Sequence, residues 1–380
     1  MNDRVKKFIL DNQDLINHDE WEEVYQKAQK DLGDAVGRFT EIMLNADIHP
    51  EYYFVELPER FLTHSTIEKF VIPSNIKKIG YEAFNCCESL SSIVIGDGVT
   101  DIGKEAFYYC TKLTSVVIPD SVTSIGNYTF HNCFSLNSVV IGDNVTSIGH
   151  GAFNSCNNLS SIIIGDKVTD INNGTFGGCS SLTSVKIGNS VTSIGHNAFA
   201  SCKSLTSITI PDNVTTIDDS AFSGCKSLTS VIIPSSVTSI DSYAFYGCTS
   251  LSSVVIGNGV TTIGYQVFSY CSSLKNVIIP NNVTFIDSRA FSSCYNLTSI
   301  VIPNSVTTIS NYAFEQCTSL ANITLPNSLT TIGEHVFYEC DDLNITYMGT
   351  KEQWKNLAKG KFSGVTYTCK CVDGIVKKLR

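Results

Sequence analysis

Charge is scarce in this chain. Only 16% of its 380 residues are Asp, Glu, Lys or Arg, against the usual quarter or so. Ser, Thr, Asn and Gly supply much of the polarity instead. Basic residues are the scarcer sign, 26 against 36 acidic, for a formal net charge of −10. Binding a phosphate backbone takes clustered Lys and Arg, so nucleic acid is not an expected partner. Long apolar runs are missing too. Segments such as Ile162-Ile163-Ile164 fall far short of the roughly 20 residues a spanning helix needs, so membrane insertion is not expected. Near the N-terminus, Phe8-Ile9-Leu10 is followed at once by Asp11, too short an apolar core for a secretory leader. That reading makes the cytoplasm the expected location, with the cell surface or secretion by a non-classical route as the alternative.

The chemistry-bearing motifs are equally sparse. Gly96-Asp97-Gly98 and Gly257-Asn258-Gly259 lack the third glycine and following helix of a phosphate-binding loop and read as turns. His150 and His196 share a repeat position two units apart, roughly 10 Å by strand spacing, too far to hold one metal. Asp218-Asp219 is a lone acidic pair, and Cys369 and Cys371 form a bare C-x-C. No acid, base and nucleophile are grouped. The chain reads as non-enzymatic, with no catalytic residue, cofactor or metal expected.

What is present is a period. Twelve of the fifteen cysteines lie 23 residues apart, from Cys87 through Cys110 and Cys133 to Cys340. Phenylalanine keeps the same step from Phe84 to Phe337, isoleucine from Ile79 to Ile332, and leucine from Leu90 to Leu343 with Ile67 one step earlier. Residues 67–342 are therefore twelve 23-residue units without insertion or deletion. In one unit the apolar columns are Leu113, Val116, Ile118, Val122, Ile125, Phe130 and Cys133. Val116 and Ile118 flank Val117 in the alternation of a half-buried strand. Pro119, or Gly96, Gly142 and Gly165 in other units, ends the strand. Gly126 marks a second corner, where a positive φ is expected. Phe130 plugs the interior and Cys133 closes the turn. One unit alone buries too little to offset the entropy of ordering it, so units must stack. The cysteine column reads as a small buried residue at a tight corner, and twelve free thiols suit a reducing compartment.

These columns, L-x-x-h-x-I-P-x-x-V-x-x-I-G-x-x-A-F-x-x-C-x-x with h apolar, resemble the BspA-like, Treponema pallidum-type leucine-rich repeats over residues 67–342. The resemblance implies a β-rich leucine-rich-repeat solenoid of right-handed coils with parallel sheets, the first strand of each coil lying on a concave sheet. It also implies a surface antigen or adhesin as one functional possibility, since many members of that class adhere to host or cell-surface proteins.

The ends depart from the period. Residues 1–49 suit a small α-helical N-terminal cap: one short amphipathic helix with Val5, Phe8, Ile9, Leu15 and Ile16, a second capped by Asp19 and running to Leu32, and a third begun by Asp34. Residues 50–66 read as a degenerate capping coil, with Phe61 and His64 falling in the Phe and Cys columns when the step is run backwards. Residues 343–380 read as a short α/β C-terminal cap. They hold a helix with Trp354 and Leu357 inward, then a strand and turn from Val365 to Gly374.

The column between the two buried strand positions holds Val94, Val117, Val140, Ile163, Lys186, Thr209, Ile232, Val255, Ile278, Val301 and Thr324. Alternation points it away from the interior. Ser115, Ser138, Ser161, Ser184, Ser207 and Ser230 run beside it. Strand propensity alone accounts for Val, Ile and Thr there, but contiguous exposed apolar area also marks interfaces. The expected function is a protein-interaction scaffold that binds its partner through the concave sheet face, Lys186 and Thr209 setting orientation. A third column, Thr100, Thr123 and Thr146, would stack hydroxyls in the manner of a crystal-matching face.

Overall fold

The computed structural model describes residues 3–17, 20–46, 48–340, 342–362 and 364–378. The chain divides into two compact units, residues 1–188 and 189–380.

In residues 1–188 each coil contributes one long and one short strand. The long strands Lys69–Ile72, Ser92–Ile95, Ser115–Ile118, Ser138–Ile141, Ser161–Ile163 and Ser184–Lys186 bury alternate residues. They pair in parallel at the repeat step, Phe70 with Ile93, Val116 with Val139 and Ile162 with Val185. The short strands also pair in parallel, from Glu56–Leu57 through Lys78–Ile79, Asp101–Ile102 and Ser124–Ile125 to Ser147–Ile148. A third ladder closes each coil. The N–H groups of Tyr128, Phe130 and Asn132 donate to the carbonyls of His150, Ala152 and Asn154 at 2.7–2.9 Å.

Those bonds explain where the backbone is left-handed. Positive φ falls on the Tyr128 and Asn132 positions (57° and 60°) and their equivalents, and Gly126 is not among the left-handed residues. Each such non-glycine residue costs about 1–2 kcal/mol, offset by the ladder bond its N–H makes. Gly126 is glycine for a different reason. A Cβ there would sit 2.5 Å from the Lys104 nitrogen and 2.6 Å from the Gly103 carbonyl carbon of the preceding coil.

Residues 189–380 repeat the plan. Ser230–Ile233, Ser253–Ile256 and Asn276–Ile278 pair in parallel, as do Ser299–Val301, Asn322–Leu325 and Leu343–Tyr347. Around Thr209 the long strand shrinks to a single bridge, Ser207 to Ser230.

The interior is a stack of identical columns. Phe84, Phe107, Phe130, Phe153 and Phe176 lie face to face with centroids 5.0–5.6 Å apart. Phe199 to Phe337 do the same at 5.2–5.8 Å. The column cysteines are fully buried. Their thiols donate to the phenylalanine carbonyl of the preceding coil, Cys133 Sγ to Phe107 O and Cys271 Sγ to Phe245 O, both at 3.2 Å. The cysteine is thus a weak second donor to a carbonyl that already accepts a backbone N–H of its own coil, Cys110 N to Phe107 O and Cys248 N to Phe245 O, both at 3.3 Å, and not merely a small filler. Burial pushes the Cys133 and Cys179 thiols up to about 12.

Four helices precede the first coil: α1 (Asp3–Asp11), α2 (Gln13–Asn17), α3 (Trp21–Leu32) and α4 (Val36–Asn45). The first amphipathic segment is broken at Asn12, whose side chain turns back to the Phe8 carbonyl at 2.9 Å. Asp19, the expected cap of α3, lies outside the described residues. The expected start at Asp34 falls in a 3-10 turn, Gly33–Ala35, before α4. The capping coil is one residue shorter than expected. Leu57 pairs with Ile79, a step of 22, and the Cys87 thiol donates to Leu62 at 2.9 Å. Leu62 and Ser65, not Phe61 and His64, therefore occupy the Phe and Cys places. Phe61 instead lies between the helices and the first coil, stacking on Tyr25 at 5.7 Å and meeting Phe70 and Phe84 edge-on at 5.9 and 6.3 Å.

At the other end the step also drops to 22, with Ile323 beside Ile345. A helix α5 (Lys351–Ala358) opens with a reciprocal cap, Gln353 N to Thr350 Oγ1 at 3.3 Å and Thr350 N to Gln353 Oε1 at 2.8 Å. Trp354 is fully buried, whereas Leu357, expected inward as well, is only half-buried. Tyr367–Cys371 adds a parallel strand beside Leu343–Tyr347, and Gly374–Lys378 folds back antiparallel on it.

Candidate functional site: an exposed aliphatic face

The outward column stands clear of the interior in both units. In residues 1–188, Val71, Val94, Val117, Val140 and Ile163 are 53–64% exposed, and Lys186 ends the run, also exposed. Val71 belongs to the set although the sequence reading began at Val94; a further step of 23 locates it. In residues 189–380, Thr209 is exposed, and Ile232, Val255, Ile278 and Val301 are 45–72% exposed. Thr324 is half-buried. Within each unit the strand pairing places neighbours directly beside one another, Val71 by Val94, Val117 by Val140, Ile163 by Lys186, Ile232 by Val255 and Val255 by Ile278.

Such a surface has particular properties. β-Branched side chains are stiff at χ1, and the ladder beneath fixes their spacing at about 4.8 Å. A partner therefore orders few rotamers when it covers them, which reduces the entropy cost of association. The exposed serine column alongside offers hydroxyls at the same step. In residues 189–380 the face deepens into a groove of about 520 Å³ with Ile278, Val301 and Thr324 in its lining and Met348 beside them. Met348 came from beyond the repeats, so column reasoning did not find it. A larger cleft of about 700 Å³ lies between α3 and the first coils, lined by Tyr25, Phe54, Tyr81 and several surface carboxylates and lysines.

The other sequence-flagged groups do not converge. His150 Nδ1 accepts from the Asn173 backbone at 3.2 Å, and His196 pairs with Asp219 at 3.0 Å. Burial, followed by the neighbouring Asp241, raises the Asp218 carboxyl above its ordinary range. Among the described residues no three His, Cys, Asp or Glu side chains assemble as metal ligands, and no helix is long and apolar enough to cross a membrane. The Thr123 and Thr146 hydroxyls donate to the carbonyls of Thr100 and Thr123, at 3.3 and 3.1 Å, which commits them to the coil stack.

Parallel strands repeating at a step of 23, stacked phenylalanines and a cysteine at each corner define a leucine-rich-repeat solenoid. The chain belongs to the BspA-type leucine-rich-repeat family, whose model, BspA type Leucine rich repeat region (6 copies), matches residues 56–183, 169–297 and 284–371. A leucine-rich repeat protein from Bacteroides ovatus is 31% identical, over 79% of this chain and 91% of its own, with a TM-score of 0.54. A leucine rich cell surface protein from Faecalibacterium prausnitzii is 29% identical over 77% of this chain and 90% of its own, TM-score 0.42. A leucine-rich repeat protein from Eubacterium ventriosum is 27% identical over 74% of this chain and 85% of its own, TM-score 0.49. No curated protein sequence matches the chain.

Proposed function

We propose that this chain is a non-enzymatic scaffold that binds a protein through its strand face. The observation that carries the reading is the uninterrupted run of exposed Val and Ile rungs, five in residues 1–188 and four in residues 189–380. Isolated exposed aliphatics are ordinary; a ladder of them in consecutive coils is the kind of contiguous patch that marks an interface. Lys186 ends the run in residues 1–188 and Thr209 precedes the run in residues 189–380, and each gives a partner a polar mark to orient by.

The test is a capture experiment with the full chain and with V140E, I163E and I232E. These side chains point to solvent, so folding should change by no more than about 0.5 kcal/mol. Each charge placed on the ladder should abolish capture of a partner that the native chain retains. Equal capture by all four proteins, with unchanged melting, rejects the reading. The buried column thiols, such as Cys133 and Cys271 set against backbone carbonyls, favour a reducing compartment such as the cytoplasm. Cell fractionation that finds the chain only outside the cell overturns that placement.

A further inference from the structure

Two cysteines differ from the twelve in the columns. Each column thiol from Cys87 to Cys179 and from Cys225 to Cys340 points at a backbone carbonyl of another coil. Cys369 and Cys371 point at each other, with Sγ atoms 3.7 Å apart. Both lie on the strand Tyr367–Cys371, two residues apart and so on one face of it. Cys369 is fully buried and Cys371 is 5% exposed.

We propose that Cys369 and Cys371 are a redox modification site that closes to a reversible disulfide in the presence of a low-molecular-weight disulfide such as oxidised glutathione. The Cys371 thiolate attacks one glutathione sulfur, forming a mixed disulfide and releasing glutathione thiolate. The Cys369 thiolate then attacks the Cys371 sulfur, forming the intrachain bond and releasing the second glutathione. The protein pair loses two electrons and two protons, and the glutathione disulfide is reduced to two thiols.

The geometry sets the character of the bond. Two residues along an extended strand place the Cα atoms about 6.7 Å apart, at the long end of what a disulfide spans. The closed form is therefore strained and readily reduced, which suits a reversible couple over a permanent staple. Position sets the rate. Burial, with the facing Cys371 thiol, pushes the Cys369 thiol well above its usual range. Reaction consequently waits on opening of the terminal hairpin, whose outer strand Gly374–Lys378 pairs on one edge only among the described residues, the kind of element that opens first. Once closed, the bond should stiffen the strand that carries both ends of it.

The experiment uses the full reduced chain, oxidised glutathione over a range of pH, and peptide mapping by mass spectrometry. Half-buried Cys86 serves as the internal marker of reagent access. The peptide holding Cys369 and Cys371 should lose two hydrogens without gaining glutathione. The loss should quicken as pH rises and reverse with dithiothreitol. C369S should instead accumulate a glutathione adduct on Cys371, because the resolving thiol is gone. Hydrogen exchange of the Tyr367–Lys378 amides should slow in the oxidised native chain and not in C369S. Both thiols persisting once Cys86 is fully modified would overturn the proposal, as would a stable glutathione adduct on the native pair or a bond from either cysteine to a column cysteine.

Discussion

The two ends of the molecule meet the same physical problem in different ways. A stack of coils leaves an open apolar face and an unpaired strand edge at each end, and exposed edges invite association. At the N-terminal end, helices cover the core. Tyr25 stacks on Phe61 and meets Phe54 edge-on at 5.1 Å, Phe8 meets Phe39 at 5.3 Å, and the Tyr25 hydroxyl bonds Thr40. A buried carboxylate ties the helices down: Glu41 takes Arg38 at 2.8 Å and the Thr66 hydroxyl at 2.5 Å. At the C-terminal end the ladder itself continues. One more parallel strand and an antiparallel one extend the sheet, and a single tryptophan seals the core, stacked on Phe362 at 5.5 Å with Phe362 against Phe337 at 5.4 Å. The N-terminal cap spreads its stabilisation over several aromatics and polar ties. The C-terminal cap concentrates it in Trp354 and ends on a lysine-bearing edge.

The sharpest way to break that contrast is W354A. Removing a fully buried tryptophan should cost about 3–5 kcal/mol, read as a fall in Tm, and the loss should localise to residues 343–378 by hydrogen exchange. Next is E41Q, which should cost about 1–3 kcal/mol by leaving a charged partner and donors poorly matched, with faster exchange confined to α3 and α4.

Acid should separate the ends in the native protein. Burial raises the Glu41 carboxyl, but hydrogen bonds from Thr66 and Arg38 outweigh it and hold the pKa below the ordinary value. A depressed folded pKa means that the stabilisation is complete above the ordinary carboxylate range and is lost as pH falls through the folded value. Glu82 is lowered in the same sense: burial raises it, but hydrogen bonds with Tyr81 and then Arg60, the latter at 2.6 Å, outweigh that. Amide exchange in α4 should therefore rise in acid earlier in wild type than exchange in α5; equal onset would remove the distinction. A smaller effect, about 1 kcal/mol, is expected for Y25F, which deletes the hydroxyl bound to Thr40. The smallest change in Tm belongs to K377V, within about 0.5 kcal/mol. Sedimentation should nonetheless show concentration-dependent association as the edge loses its charge.

Much of this architecture is legible in the residue order. A 23-residue period names the coil, and alternation within Ser115–Ile118 says which side chains go in and which go out. The family resemblance and the solenoid class both follow from those columns. What escaped has a common cause. Leu62 and Ser65 displaced Phe61 and His64 because the first coil is a residue short, which only the pairing of Leu57 with Ile79 reveals. Positive φ settled on Tyr128 and Asn132, not Gly126, because the N–H groups there reach carbonyls one coil on. Met348 joined the groove from outside the repeat, and the Gly374–Lys378 strand came from folding back on a neighbour.

The order of amino acids determined the local matters: the period of the coil, the alternation within its long strand and which seven columns shun water. These depend on side-chain polarity and on turn residues a few positions apart. Tertiary structure alone decided the backbone strain, the carbonyls that the column thiols reach and the step of 22 at both ends. Each of these is set by a hydrogen bond or a van der Waals limit between segments that meet only when one coil lies on the next.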